Sequence, residues 1–547
     1  MRPAAFWTAM ILAAAPFGPA EAEPACGSRA GLEREIVALH RHVLAVQSRA
    51  LRARSVPADR TTGGVAVLED RGDLVIARNP FDLEGTGIRF SPDRDGGYAA
   101  EPELSTPGPP GASTGLTEER AVRIALPFAF PFFGRTYREA FLHANGHVTF
   151  ERADDEPGPP GLARFLEGPP RIAAFSADLD IARGGTVTAR IEPGRAAFLW
   201  AAVPGGGQLN RNTFEIALSP AGEVGLSYGR EMQSREALVG LSPGGATDAS
   251  AVDFSRPARG RGALLERFSE TEKVDLPSVT RRLFAAHGDL FAQVVVYTTR
   301  PLNPVGGTLA FEVNVRNEIE GIGLDQFDHS AEWGSAGVLE SVVFMDGVDP
   351  YLQHDGFEFL AHEVGHRWLS RLRFRSASGP SAALLGRGNV HWSFFLDSDA
   401  SVMEGNDLVD RGGGRFETVD IVRGFSALDQ YVMGLRDAAE VPPFFYVEAP
   451  DDFRPNRAYK ASSGPEPGVS FTGVRRDVTV GDVVAALGPR RPSAGPRVIR
   501  QAFVLVADAE APATDARVAA LGRIRARFGT YFRVATEGRG AVDTELP

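Results

Sequence analysis

Cysteine is almost missing from this chain. Among 547 residues there is one, Cys26. A single thiol excludes an internal disulfide framework, a multi-cysteine zinc finger and a thiolate-held cluster. Any bound metal must therefore rest on histidine and carboxylate side chains. Lysine is nearly as scarce: only Lys273 and Lys460 occur among 58 basic residues, and arginine supplies the rest. With abundant Ala, Gly and Pro, this reflects GC-rich codon usage rather than chemistry. Positive charge is also short of negative, 58 against 70, for a net charge of −12. That balance argues against a nucleic-acid partner held on a broad basic surface. No apolar run reaches the ~20 residues needed to span a bilayer. What is present, 43% hydrophobic and 23% charged residues, suffices for packed cores and excludes a mainly disordered chain. The length predicts about three domains.

Residues 1–22 have the three-part layout of a secretory signal peptide. Arg2 precedes an apolar run from Ala4 to Ala15, and Ala20-Glu21-Ala22 gives a small-residue cleavage pattern. The expected location is secreted or periplasmic. Cys26 is not expected to carry lipid, because Glu23 stands where a lipobox needs an aliphatic residue. Residues 23–58 read as an N-terminal helix, with Leu32, Ile36, Leu39, Val43 and Val46 at spacings of three and four. His40 and His42 would face different sides of it and are not a metal pair.

Residues 59–255 alternate short apolar runs with Pro, Gly, Asn and Asp, which predicts an all-β sandwich. Val65 to Leu68, Thr186 to Ile191 and Thr213 to Leu218 are examples. Ser91 to Gly115 reads as an exposed linker, and 256–276 as a second one. Within this region Leu126-Pro127-Phe128-Ala129-Phe130-Pro131-Phe132-Phe133-Gly134, Asn145-Gly146-His147-Val148-Thr149-Phe150, Asp178-Leu179-Asp180, Trp200 and Asn212-Thr213-Phe214 follow one another in order. Over about 116–245 this resembles a nidogen-like extracellular β domain. The resemblance implies an adhesive or accessory module with a matrix or cell-surface partner. His143 and His147 are read as structural.

Residues 277–547 alternate strands and helices, predicting an α+β domain. Phe291 to Thr298, Leu309 to Val315 and Ser341 to Met345 read as strands; Gly356 to Ser370, Phe425 to Leu435 and Asp515 to Phe532 read as helices. The sharp signal is His362-Glu363-Val364-Gly365-His366, an H-E-x-x-H motif. On a helix, His362 and His366 share a face and can hold one ion. Zinc takes such nitrogens at about 2.0–2.1 Å. Glu363 can reach water activated by the metal and take its proton. Asp355 and Glu358 form a capping-box-like pair at the expected helix start. The motif and the strands before it resemble the zincin metallopeptidases, with no subfamily assigned. That resemblance implies two zinc ligands, His362 and His366, and Glu363 as general base.

The third ligand stays open among His391, Asp429 and Glu404, in that order. His391 is the last histidine of the chain, and Ser401-Val402-Met403 follows it, similar to a metzincin Met-turn. Asp429 lies on the helix expected over 425–435. Tyr431, or His391 if it is not a ligand, is the candidate oxyanion stabiliser. Asp397-Ser398-Asp399-Ala400-Ser401 resembles the start of a Ca2+ loop, although Val402 stands where such a loop needs Gly. Asp407 to Gly414 reads as an acidic, Gly-rich loop. The expected function is zinc-dependent hydrolysis of a protein or peptide substrate. The alternatives are an adhesive or binding protein on a zincin-like scaffold, and a zinc amidohydrolase acting on a non-peptide amide.

Overall fold

Val-rich runs such as Gln293–Thr298 are buried on both faces, which is how strands in a covered parallel sheet read. The computed structural model describes residues 36–40 and 58–547, apart from 118–120, 155–161, 206–210, 234–235, 246–248, 303–309, 455–457, 496 and 509. The expected signal peptide, Cys26 and most of the expected N-terminal helix lie outside the described residues. The described part of that helix, 36–40, is helical. Among the described residues no helix is long and apolar enough to cross a membrane. The chain divides into two compact units.

One unit comprises Pro80–Gly161 and Phe165–Ser269. It holds a seven-stranded sheet, running from Ala249–Ala251 at one edge to Val122–Phe132 at the other, and an eight-stranded sheet from Ala258–Gly260 to Ala112–Ser113. Both sheets contribute to one apolar core. In Val122–Phe132 the buried Leu126, Phe128, Phe130 and Phe132 alternate with outward residues, the period of a half-buried strand. Trp200 stacks on Phe214 at 5.0 Å and donates through Nε1 to the Ala144 carbonyl. His143 and His147 stack face to face at 4.3 Å on a hairpin, and His143 Nε2 lies 2.9 Å from the Thr149 hydroxyl.

Both expected linkers are corrected here. Ser91 to Gly115 contains the strands Tyr98–Glu103 and Ala112–Ser113. Its glycines serve close approach: a Cβ on Gly111 would meet the Ala189 carbonyl oxygen at 2.2 Å. The stretch 256–276 contains Ala258–Gly260 and Ala263–Ser269. Its charges hid the strands because they are paired, as Arg267 is with Glu236 at 2.7 Å, while Leu264, Leu265 and Phe268 are buried.

The other unit comprises Ala25–Asn79, Leu162–Arg164 and Glu270–Pro547. Its main sheet contains β1 (Val65–Glu69), β2 (Gln293–Thr298), β3 (Phe311–Asn314), β4 (Ser341–Gly347) and β5 (Arg497–Ala507). The order is β1-β5-β2-β4-β3, with Arg60–Thr62 beyond β1. Strands β1, β5, β2 and β4 run parallel, and β3 is an antiparallel edge. Helix α1 (Leu276–His287) contributes Leu276, Val279 and Leu283 to the core on one face of this sheet. Helix α2 (Phe357–Gly365) packs against β3, β4 and the long helix α4 (Asp515–Ala535). Val37 joins the α1-side core, and His40 Nδ1 meets the buried Asp275 carboxylate at 2.8 Å.

The assignment of Val65 to Leu68 to the sandwich region is thus corrected, because this strand pairs with β5. Its fully buried run belongs to a sheet covered on both faces. The stretch expected as a Gly-rich loop at Asp407 to Gly414 is the hairpin Asn406–Gly412 and Arg415–Ile421, turned by glycines at positive φ. It belongs to a four-stranded sheet with Phe444–Arg454 and Ser470–Val478. That sheet carries a small aromatic core including Phe394, Phe395, Phe416 and Phe471.

Candidate metal centre

Helix α2 starts at Gly356, which adopts φ 61° and makes no side-chain cap. A Cβ there would meet the Tyr351 ring at 2.4 Å. The expected capping role of Asp355 is therefore corrected. Its carboxylate instead pairs with Arg523 at 2.9 Å and with Arg527, both on α4, which ties the start of α2 to that helix.

His362 and His366 lie one turn apart, as the spacing required. Their Nε2 atoms approach to 3.1 Å. His362 donates from Nδ1 to the Val402 carbonyl at 2.7 Å. The third imidazole is His391, with its ring 5.1 Å from that of His362 and 5.0 Å from that of His366. It donates from Nδ1 to the Arg387 carbonyl at 2.8 Å. A carbonyl only accepts, so both of these rings carry their proton on Nδ1 and present a lone pair at Nε2. One nitrogen from each of the three histidines falls within 4.8 Å of the others, the only such group of potential ligands among the described residues. Burial, followed by the neighbouring His362 and His391 rings, holds His366 neutral. Burial likewise pushes the His391 imidazole down to about 3, against the opposing pull of Glu404. Neutral imidazole is the form that binds metals.

The loop carrying His391 is fixed on both sides. The backbone N–H of Trp392 donates to the Met403 carbonyl at 3.0 Å, and that of Phe394 donates to the Ala461 carbonyl at 3.0 Å. Phe394 and Phe395 sink into the aromatic core of the four-stranded sheet. The turn that supplies the Val402 carbonyl is backed by Met403, whose Sδ would lie 2.7 Å from a Cβ on Gly365. Glycine within the motif therefore lets the helix settle onto this turn.

The remaining candidates take other places. Asp429 is buried at the start of α3 (Ala427–Met433), where Oδ2 accepts from the Ser426 N–H at 2.8 Å and Oδ1 accepts from Trp392 Nε1 at 2.9 Å. It positions the neighbour of His391. Glu404 pairs with Arg387, and its nearer oxygen is 3.8 Å from His391 Nε2. Tyr431, two residues beyond Asp429, accepts through its hydroxyl from the Arg490 backbone N–H at 3.4 Å. No three carboxylates of the acidic stretch around Asp397 and Asp399 gather as the histidines do. Asp397 is pushed up to about 6, first by burial and then by Asp407 and Asp399.

Three residues near the centre carried no sequence signal of their own. Tyr351 is raised by burial and then by the charges of Glu363 and Asp346. Glu312 on the edge strand β3 is lifted to about 8, chiefly by burial, and accepts from Asn314 Nδ2 at 3.0 Å. Arg387 lies beside His391, with Nη2 3.1 Å from Nε2. Only the short reach from Arg387 to His391 along the loop hinted at the last of these. Glu363 itself is buried on α2 next to His362.

No family model, no curated protein and no solved structure matches this chain.

Proposed function

We propose that this chain is an exported zinc-dependent peptidase of the zincin type. The observation that carries the reading is the convergence of His362, His366 and His391 beside Glu363. Three imidazoles, two of them donating from Nδ1 to carbonyls, fit zinc, and three protein ligands with a fourth position open is the pattern of catalytic rather than structural sites. A zinc ion held there would supply a Lewis acid that polarises water and the scissile carbonyl. The rest falls to the chain's own groups. Glu363 takes a proton from the attacking water and passes it to the departing amine nitrogen. Burial keeps that carboxylate out of bulk water, and the turn at Val402 and Met403 holds the His362 ring in place.

The N-terminal layout supports export, and the Pro- and Phe-rich passage over about 116–245 supports an adhesive or accessory role for the β unit. Glu363→Gln tests the hydrolytic reading. It should keep a full equivalent of zinc, since the imidazoles are untouched, and lose about 10²–10⁴-fold in turnover of a peptide substrate. Wild-type turnover in this variant would remove Glu363, and with it this mechanism, from consideration.

A further inference from the structure

One rung of the main sheet is polar where its neighbours are apolar. Gln501 on β5 lies opposite Gln293 on β2, Gln293 opposite Ser341 on β4, and Ser341 opposite Asn314 on the edge strand β3. Opposed residues share a face of the sheet. Here it is the α2 face, because the alternating neighbours Ala502, Val294, Val342 and Val313 belong to the core on the α1 side. All four polar side chains are buried. Gln501 Nε2 donates to Gln293 Oε1 at 2.7 Å, and Gln293 Nε2 donates to the Ser341 hydroxyl at 2.9 Å. Buried amides are tolerated when paired in this way.

The end of the rung meets the motif helix. Asn314 Nδ2 donates to Glu312 Oε2 at 3.0 Å and to the His366 carbonyl at 3.4 Å, and Arg367 Nη1 donates to Asn314 Oδ1 at 3.3 Å. A carbonyl only accepts and a guanidinium only donates, so the amide can face one way. His366 caps the end of α2, where carbonyls have no donor within the helix. Arg371 Nη1 gives its carbonyl a second hydrogen bond at 2.7 Å. The rings of His362 and His391 are steered at Nδ1 by carbonyls, whereas Nδ1 of His366 is buried with no hydrogen-bond partner among the described residues. The third ring is therefore placed through its backbone.

We propose that Asn314 is a positioning residue of this centre. By tying the His366 carbonyl to the polar rung, it fixes where that imidazole stands relative to His362 and His391. The proposal rests on the reading of the three histidines as metal ligands.

The test uses the full chain and Co2+, whose visible spectrum reports the geometry of its ligands. Asn314→Leu keeps the size of the side chain and removes the amide. Gln293→Leu breaks the rung two strands away. Both are compared with wild type for Co2+ affinity, Co2+ spectrum, urea unfolding of the metal-free chain and cleavage of a casein-derived peptide. Asn314→Leu should bind Co2+ about 10–100-fold more weakly, the usual cost of losing a group that orients a ligand, and its visible bands should shift. Gln293→Leu should lose stability but keep the wild-type affinity and spectrum, a split that a purely structural rung would not give. Asn314→Ser, which restores a hydroxyl donor, should recover part of the affinity. Wild-type affinity and spectrum in Asn314→Leu overturn the proposal. So do equal losses of affinity in the two Leu variants, which would trace the effect to sheet stability. If neither Asn314 variant folds, Asn314 supports the fold rather than the ligand, and the proposal falls. If wild type cleaves no peptide but Asn314→Leu still weakens Co2+ binding, the hydrolytic reading falls and the positioning role stands. A wild type that binds no Co2+ removes both.

Discussion

The three clustered imidazoles are the proposed metal ligands. Burial makes protonation of His366 and His391 costly, and the carbonyls of Val402 and Arg387 take the Nδ1 protons of His362 and His391. The proposed ligand set separates His391 from Asp429. His391→Ala should lose zinc binding. Asp429→Asn should retain an equivalent of zinc while losing about 1–3 kcal/mol of stability, because an amide cannot accept from both the Ser426 N–H and Trp392 Nε1 as the carboxylate does. Zinc content after dialysis and urea unfolding decide it, and a zinc-free Asp429→Asn that remains folded would reverse the assignment. The sequence made His362, Glu363 and His366 legible because helical spacing alone brings the two histidines together. It could not rank His391 above Asp429 with assurance, since nothing local says which carboxylates find other donors. Asp429 finds two. Glu312 and Tyr351 were illegible for the same reason: no local spacing ties either of them to the motif.

At the scale of elements, the position of α2 depends on two glycines with different tasks. Gly356 begins the helix at φ 61° against the Tyr351 ring, a conformation and a proximity that a side chain would oppose. Gly365 lies inside the motif, where a Cβ would come within 2.7 Å of Met403 Sδ and 3.2 Å of both Leu369 and Phe425. Gly365→Ala should therefore push the helix off the turn that carries the Val402 carbonyl. A loss of about 1–3 kcal/mol is expected for overpacking of this kind. Zinc affinity should fall with it, because the His362 ring loses its anchor. Adding Met403→Ala should recover part of both losses, a coupling that independent sites would not show. Unfolding midpoints and zinc titrations of the single and double variants check this, and strictly additive losses would mean that the contact is not the cause. The strand before α2, Ser341–Gly347, was readable from its apolar run, whereas the hairpin Asn406–Gly412 and Arg415–Ile421 was not. Its outward charges and three turn glycines mask the buried Leu408 and Phe416 that hold it.

At the scale of the whole chain, the sequence suggested domains in series, and the described structure differs. Strand β1 precedes the β unit in sequence yet pairs in parallel with β5, near the far end of the chain. The cue was present in Val65 to Glu69, which is buried throughout and does not alternate, but a five-residue run cannot by itself say which sheet it joins. The two-residue strands Val75–Ile76 and Lys273–Val274 pair antiparallel, Val75 with Val274 and Ile76 with Lys273. The chain thus leaves the unit that carries the histidine cluster and returns to it through neighbouring strands, so the segment between them is an insertion. Two truncations follow from this. Replacing residues 80–269 by a short Gly/Ser linker should leave a chain that folds and binds one equivalent of zinc, because the exit and return points already lie side by side. Residues 270–547 alone should fail to fold cooperatively, because β5 then loses its β1 partner and exposes a fully apolar edge, the kind of edge that drives aggregation. Circular dichroism, solution size and zinc content of the two fragments measure this. A well-folded, zinc-binding 270–547 fragment would show that β1 is dispensable and that the units are consecutive after all.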